Sequence, residues 1–502
     1  MSSLLVCGTS SDAGKSVVVT GLCRYLRDQG VKVAPFKAQN MSLNSAVTLD
    51  GEEIGRAQAA QAFAAGVEPE AAMNPILIKP STDTEAQVIV MGRPLVTIDG
   101  ASYGSLRARL MPVVLDAFES LRSRFDIVIC EGAGSLAEFN LRDRDLVNLG
   151  FARQTNTPVV VVADIDRGGS FAGLYGSLAL LPAADQELVC GFIMNKFRGD
   201  VRLLHSGLGR FAALTGRNFY GVFPWVRDLM IDAEDSLHLS AFPPELTPTS
   251  GSVLHIAVVR LRAMSNFTDF DPLVIEPGVL VRFTNSASEI AAADLVILPG
   301  SKSTVADLRL LQESGLSVAI GARAEAHRPI LGVCGGFQML GHRIIDLVES
   351  DAGDVPGLGL LPVVTEFEPD KVLARRTGRS PKLGAHCEGY EIRHGRPDVL
   401  CGEPMFEGKD GNEGCVQGSI WGTSWHGVFE SDQFRRAFLA WIAAANNVDW
   451  IPSDISFNQA REAQAACLGQ LIADHADTEG LTGLIEHGSG KELPVLSPAG
   501  VA

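Results

Sequence analysis

The chain has 502 residues, of which 46% are hydrophobic and 20% charged, a balance that marks a multi-domain globular protein and excludes a disordered, collagenous or coiled-coil one. Its formal net charge is −17, so non-specific binding to nucleic acid or to an anionic membrane is not expected, and any bound anion needs local cations or backbone N–H groups. The nine cysteines are odd in number, widely spread and free of Cys-x-x-Cys pairs, which argues against a disulfide framework or zinc ribbon and points to a reducing, cytoplasmic setting. No basic stretch precedes an apolar run at the N-terminus, and no apolar run reaches about 18 residues, so neither a signal peptide nor a membrane span is expected.

The first half alternates short apolar runs with amphipathic stretches. Leu4–Cys7 is a predicted strand, Ser16–Gln29 a helix and Val31–Phe36 a second strand. Asp126–Cys130, Pro158–Ala163 and Val189–Met194 follow as further strands. Continuous Val/Ile runs of this kind fit strands buried on both faces of a parallel sheet, with ligands at their carboxyl ends.

The turn after the first strand reads Gly8-Thr9-Ser10-Ser11-Asp12-Ala13-Gly14-Lys15-Ser16 and opens the first helix. A phosphate chain needs several N–H donors converging at a helix start, which a Gly-rich turn allows. Gly8, Thr9 and Gly14 are the expected cradle. Lys15 is placed on the β/γ-phosphates and Ser16 on Mg²⁺. Thr9 stands where the usual pattern has its first Gly. Glu131, at the end of the third strand and before Gly132-Ala133-Gly134, is the second candidate Mg²⁺ ligand. Asn195 and Lys196, at the end of the fifth strand, are candidate contacts to the nucleotide base. Lys37, Lys79, Arg142, Arg144, Arg167, Lys196 and Arg198 lie in the loops of this half and are expected to form a clamp for a second anionic ligand. Asn40, Ser42, Asn44 and Ser45 form a polar loop suited to orienting a substrate carboxyl group or a metal-bound water.

Pro243–Ser252 is rich in Pro, Ser and Thr and is the predicted domain boundary. Strands are then expected at Leu254–Val259, Asp294–Leu298 and Pro329–Val333, irregular β-structure over Gly414–Glu430 and a helix over Phe434–Asn446. The division is 1–240, a linker at 241–252, 253–450, and a C-terminal helix with a loosely ordered tail at 451–502. In the second part, Gly332-Val333-Cys334-Gly335-Gly336 is a sharp strand-to-helix turn that exposes a thiol and aims helix N–H groups at it. His426 sits in a tight turn after a late strand, and a distant Cys–His pair is an acyl-transfer arrangement. Leu298–Lys302 is a candidate source of another oxyanion N–H. An inert, buried Cys334 remains the alternative.

These residues carry a resemblance. Gly332–Gly341 is similar to the nucleophile segment of class I glutamine amidotransferases, and the first half resembles the dethiobiotin-synthetase-like P-loop ATPases. Joined in this order, and with Lys37–Asn44, Met73–Pro80, Asn195–Gly199 and Ser265–Asp271, the two halves resemble the cobyric acid synthase family over about residues 1–450. The resemblance implies an α/β fold of two doubly wound domains, an N-terminal P-loop NTPase-like parallel sheet and a C-terminal flavodoxin-like amidotransferase. It implies ATP-dependent amidation of the b, d, e and g carboxylates of adenosylcobyrinic acid a,c-diamide, with ammonia taken from L-glutamine. Cys334 would then be the nucleophile, His426 its base, and Lys15, Ser16 and Glu131 the residues serving ATP and Mg²⁺. The related a,c-diamide synthase or another glutamine-dependent carboxylate amidase, and a P-loop switch ATPase with an inert second half, are the alternatives. Many triad amidotransferases have a Glu two residues after the His; here that place is Val428, with Glu430 four residues on. The group that orients His426 is therefore open. Arg262-Ala263 also departs from the family run before Ser265.

Overall fold

The computed structural model describes residues 2–82, 84–99, 103–226, 229, 252–488 and 492–497. The predicted linker, apart from Ser252, lies outside them. The first sheet contains β1 (Ser3–Gly8), β2 (Val33–Phe36), β3 (Ile127–Glu131), β4 (Val159–Asp164), β5 (Val189–Phe197) and β6 (Asn218–Pro224). Its order is β6-β5-β4-β1-β3-β2, parallel throughout. Both faces are covered. Leu5, Cys7, Val159 and Val161 enter one apolar cluster, while Leu4, Val6, Val160 and Val162 enter another. This two-sided burial is why the strands read as unbroken Val/Ile runs.

β1 lies at the switch in strand order, between β4 and β3, and helix α1 (Lys15–Asp28) leaves its carboxyl end. Such a switch opens a crevice for ligands. Beside it, α2 (Arg56–Ala65) ends at Gly66 in the left-handed conformation. A smaller sheet adds Gln39–Met41, Ile76–Pro80, Glu85–Val90 and Arg93–Asp99, which the linear pattern did not reveal.

The second sheet contains β7 (Leu254–Val259), β8 (Val279–Thr284), β9 (Leu295–Leu298), β10 (Ile330–Val333), β11 (Cys415–Gln417) and β12 (Ile420–Thr423), in the order β8-β7-β9-β10-β12-β11. Only β11 runs antiparallel to its neighbour within this sheet. Helix α3 (Gly335–Leu340) follows β10, and α4 (Asp432–Asn446) follows the His426 turn. A long hairpin, Val363–Ser380 with Ala385–Val399, stands beside this sheet and touches the first domain.

α5 (Phe457–His475) lies where a C-terminal helix is expected. The expectation of a loosely ordered tail after about Asp477 needs correction over α6 (Thr478–His487), which is a regular helix. Leu468, Leu471, Ile472, Leu481, Leu484 and Ile485 join the cluster formed by one face of the first sheet and α1. The C-terminal segment therefore closes the core of the N-terminal domain.

Candidate active sites

The first site is built at the end of β1. Gly14 has φ 100°, and a Cβ there would lie 1.9 Å from Asn195 Nδ2, so glycine is required. Lys15 Nζ donates to the Ser10 carbonyl (2.9 Å) and the Gly134 carbonyl (3.1 Å). It thus spans the loop after β1 and the loop after β3. Ser16 Oγ donates to Glu131 Oε1 at 3.0 Å. Glu131 is buried. It also accepts from Lys37 Nζ at 2.9 Å and from Gln61 Nε2 at 2.5 Å. Asn195 Nδ2 donates to the Ala13 carbonyl at 2.9 Å, and Lys196 Nζ to the Asp12 carbonyl at 2.7 Å. Both side chains are turned onto the phosphate loop itself. Lys196 further pairs with Asp164 at 3.1 Å.

The six of these cations whose side chains are described do not form one clamp. Lys37 pairs with Glu131, Arg142 with Asp185, Arg167 with Asp12, and Arg198 with Asp166. The Arg144 side chain lies outside the described residues. Lys79 pairs with buried Glu53 at 2.7 Å and faces the second domain, whose Lys371 takes the other Glu53 oxygen at 2.5 Å. Burial alone would raise the Glu53 carboxyl, but Lys371 and Lys79 hold it well below the usual carboxylate range. Burial pushes the Lys371 ammonium down to about 8 against the opposing pull of Glu53. Charges buried in a low dielectric survive only when paired this way.

The second site is built at the end of β10. Cys334 has φ 49° and ψ −108° and precedes α3. Its N–H donates to the Thr423 carbonyl at 2.7 Å, and its carbonyl accepts from Gln338 N at 3.0 Å. Cys334 is 6% exposed and lines a cavity with Ser301, Lys302, Gln338, Glu349 and Lys79. The cavity thus has walls from both domains. The turn at Gly300–Ser301 lies against this site, because a Cβ on Gly335 would sit 2.8 Å from Ser301 N and one on Gly300 would sit 2.9 Å from His426 Cε1.

β12 flanks β10 and leads to His426, which stands close enough to Cys334 to feel its charge. The acid that orients the ring is Asp269: its Oδ2 lies 2.6 Å from His426 Nδ1, and its Oδ1 accepts from Gly427 N at 2.9 Å. Burial alone would depress the imidazolium, yet the charges of Asp269 and Cys334 push it up to about 10. Glu430 instead pairs with Arg56 at 2.5 Å, and Val428 is buried. Asp269 lies in the run Ser265–Asp271, which also offers Asp271. Nothing in the linear spacing distinguishes the two. On the other side of the ring, Tyr390 stacks on His426 with centroids 5.5 Å apart and an interplanar angle of 28°.

Comparison with known proteins adds an independent line. Residues 4–238 match the CobQ/CobB/MinD/ParA nucleotide binding domain, and residues 255–434 match the CobB/CobQ-like glutamine amidotransferase domain. A cobyric acid synthase of Frankia casuarinae is 53% identical over 517 residues, covering 99% of each chain. One of Streptomyces avermitilis is 53% identical over 506 residues, again covering 99% of each. A solved glutamine amidotransferase aligns with 38% of this chain and 99% of its own, at 18% identity and a TM-score of 0.30. The signal recognition particle receptor FtsY of Elizabethkingia anophelis aligns with 44% of this chain and 56% of its own, at 16% identity and a TM-score of 0.28. No helix among the described residues is long and apolar enough to cross a membrane.

Proposed function

The chain belongs to the cobyric acid synthase family, and from that membership we propose that it amidates the b, d, e and g carboxylates of adenosylcobyrinic acid a,c-diamide with nitrogen released from glutamine. The observation that carries the reading is one chain holding both a braced phosphate loop and a Cys334–His426–Asp269 constellation. A switch ATPase has no use for the second. A reducing, cytoplasmic setting belongs to the same proposal, supported by nine cysteines that are all unpaired.

In the first site ATP would supply the phosphoryl group that turns a carboxylate into an acyl phosphate, a good acceptor for ammonia. Gly8, Thr9 and Gly14 would cradle its phosphates, with Lys15 on the β/γ end. Asn195 and Lys196 would hold the loop in shape for it. Ser16 and Glu131 would hold Mg²⁺: they bring two hard oxygen donors to one point, and Lys37 balances the carboxylate charge. In the second site the Cys334 thiolate attacks the glutamine side-chain carbonyl. The C–N bond breaks, ammonia leaves with the proton of the His426 imidazolium, and water releases glutamate from the thioester. The α3 N-terminus, which follows Cys334 directly, and the Ser301 backbone beside it would donate to the developing oxyanion.

The test is mass spectrometry of the corrinoid after incubation with the protein, ATP, Mg²⁺ and glutamine. The mass falls by the difference between –OH and –NH₂ at each step. Cys334→Ala is expected to give the same products with ammonium and none with glutamine. Lys15→Ala is expected to give none with either. Wild-type turnover by Cys334→Ala with glutamine would overturn the reading.

A further inference from the structure

Asn44 and Ser45 belong to the polar loop expected to orient a substrate carboxyl group, yet the structure ties both to the second domain. Asn44 Oδ1 accepts from Phe267 N at 3.1 Å, and Asn266 Oδ1 accepts from Ser45 N at 2.9 Å. The Ser45 carbonyl accepts from the Tyr390 hydroxyl at 3.2 Å. Asn44, Ser45, Asn266 and Tyr390 are all buried.

We propose that Asn44 and Ser45 are positioning residues for His426, so that the first domain completes the hydrolytic site of the second. This rests on the reading of Cys334 and His426 as the glutamine-hydrolysing pair.

Two routes lead from the loop to the imidazole. The first runs through Asp269, which sits in a one-turn 3₁₀ segment, Phe267–Phe270. The residue before that segment, Asn266, has φ 51° and makes no side-chain cap. The first N–H groups of any helical turn need acceptors from outside it. Here the acceptor for Phe267 is Asn44, from another domain. The cap fixes the turn, and the turn aims Asp269 at His426 Nδ1.

The second route runs through Tyr390. Its ring covers one face of His426, and the two residues exchange backbone hydrogen bonds of 3.0 and 2.8 Å. Its hydroxyl is anchored on Ser45. Ser45 Oγ is in turn fixed by Glu53 at 2.8 Å and by Lys79 at 2.9 Å. Lys79 also lines the cavity that holds Cys334. A buried residue whose N–H and carbonyl are both spent across this junction, and whose hydroxyl is held within its own domain by Glu53 and Lys79, is set by the junction.

The experiment compares the full-length wild type with Asn44→Ala, Asn44→Asp and Tyr390→Phe, with ATP and corrinoid left out. In Asn44→Ala, kcat for glutamine hydrolysis is expected to fall about 3- to 10-fold, the equivalent of one lost hydrogen bond, with KM little changed. The pH dependence of Cys334 alkylation by iodoacetamide is expected to shift, because the imidazolium is held less well. A loss of fold alone would lower the active fraction without moving that profile. Asn44→Asp keeps an acceptor for Phe267 N–H and is expected to restore the rate. Tyr390→Phe keeps the ring and loses only the anchor, and is expected to fall in the same direction. Asn44→Ala with wild-type kcat and an unmoved alkylation profile would overturn the proposal alone. A wild type that hydrolyses no glutamine would overturn both this proposal and the reading beneath it.

Discussion

In the proposed hydrolytic reaction, the contact between Asp269 and His426 is the one on which the chemistry would turn. The ring's pKa of about 10 stands above its ordinary 6.5 despite burial, because Asp269 and Cys334 favour the imidazolium. Two consequences follow for Asp269→Asn. In catalysis, the alkaline limb of kcat/KM for glutamine reports loss of the His426 proton, and it is expected to move from about 10 towards 6.5. The rate itself is expected to drop about 10- to 100-fold. In stability, a group whose pKa is raised on folding contributes fully below its unfolded pKa, and the contribution is lost as pH rises through the folded value. The thermal midpoints of wild type and Asp269→Asn are therefore expected to differ most at or below pH 6.5 and to converge towards pH 10. A gap independent of pH would show that Asp269 acts through packing and not through the imidazolium.

At the scale of the element, the β10–α3 turn explains both what the linear pattern displays and what it hides. Cys334 is held at a positive φ, a strain of about 1–3 kcal/mol that its surroundings must offset. The glycines around it are dictated by contact. A Cβ on Gly336 would lie 1.9 Å from the Leu298 carbonyl oxygen, and one on Gly332 would lie 2.7 Å from Phe337 N. Backbone atoms cannot retreat as a flexible side chain can. Gly336→Ala is expected to cost more than about 3 kcal/mol and to lower the calorimetric midpoint of the second domain while nucleotide binding survives. Gly321→Ala is the matched control: no atom lies within 4 Å of its Cβ, and in the helix Leu316–Glu325 it is expected to be neutral or stabilising by about 0.5–1 kcal/mol. Equal effects from the two would refute the steric account. The Cys334 turn, like Gly14-Lys15-Ser16, is legible in the sequence because strained turns demand particular residues locally. Asp269 is not legible, because it meets His426 only once the second sheet has brought distant segments together. The Asn44 cap is hidden for the same reason, since it crosses between domains.

The whole chain closes on itself. α5 carries Ala463, Ala465, Ala466 and Gly469 along its length, so it lacks the large apolar stripe by which a packed helix is recognised. Its fit to α1 depends on smallness instead: a Cβ on Gly21 would lie 2.7 Å from the Leu468 carbonyl, and one on Gly469 would lie 2.7 Å from Arg24 Cγ. The segment is strapped at both ends. Arg24 pairs with Glu462 at 2.8 Å, and Asp477 N donates to the Tyr220 carbonyl at 2.8 Å. Towards the second domain, Phe457 N donates to Asp432 Oδ1 at 2.9 Å. Leu468, Leu471, Ile472, Leu481, Leu484 and Ile485 meet the α1 face of the first sheet. At about 1.5–3 kcal/mol for each buried side chain, they carry on the order of 10 kcal/mol, comparable with the net stability of a domain. α1 is also the helix whose first residues are Lys15 and Ser16. A chain ending at Trp450 is therefore expected to lose the cooperative unfolding transition of the N-terminal domain and to bind nucleotide weakly or not at all. Its second domain should still unfold as a unit, because among the described residues the apolar cluster that contains Cys334 draws on none beyond Trp450. Calorimetry of the truncated chain with and without nucleotide reads both outcomes. An unchanged first transition would mean that the two C-terminal helices decorate a core complete without them.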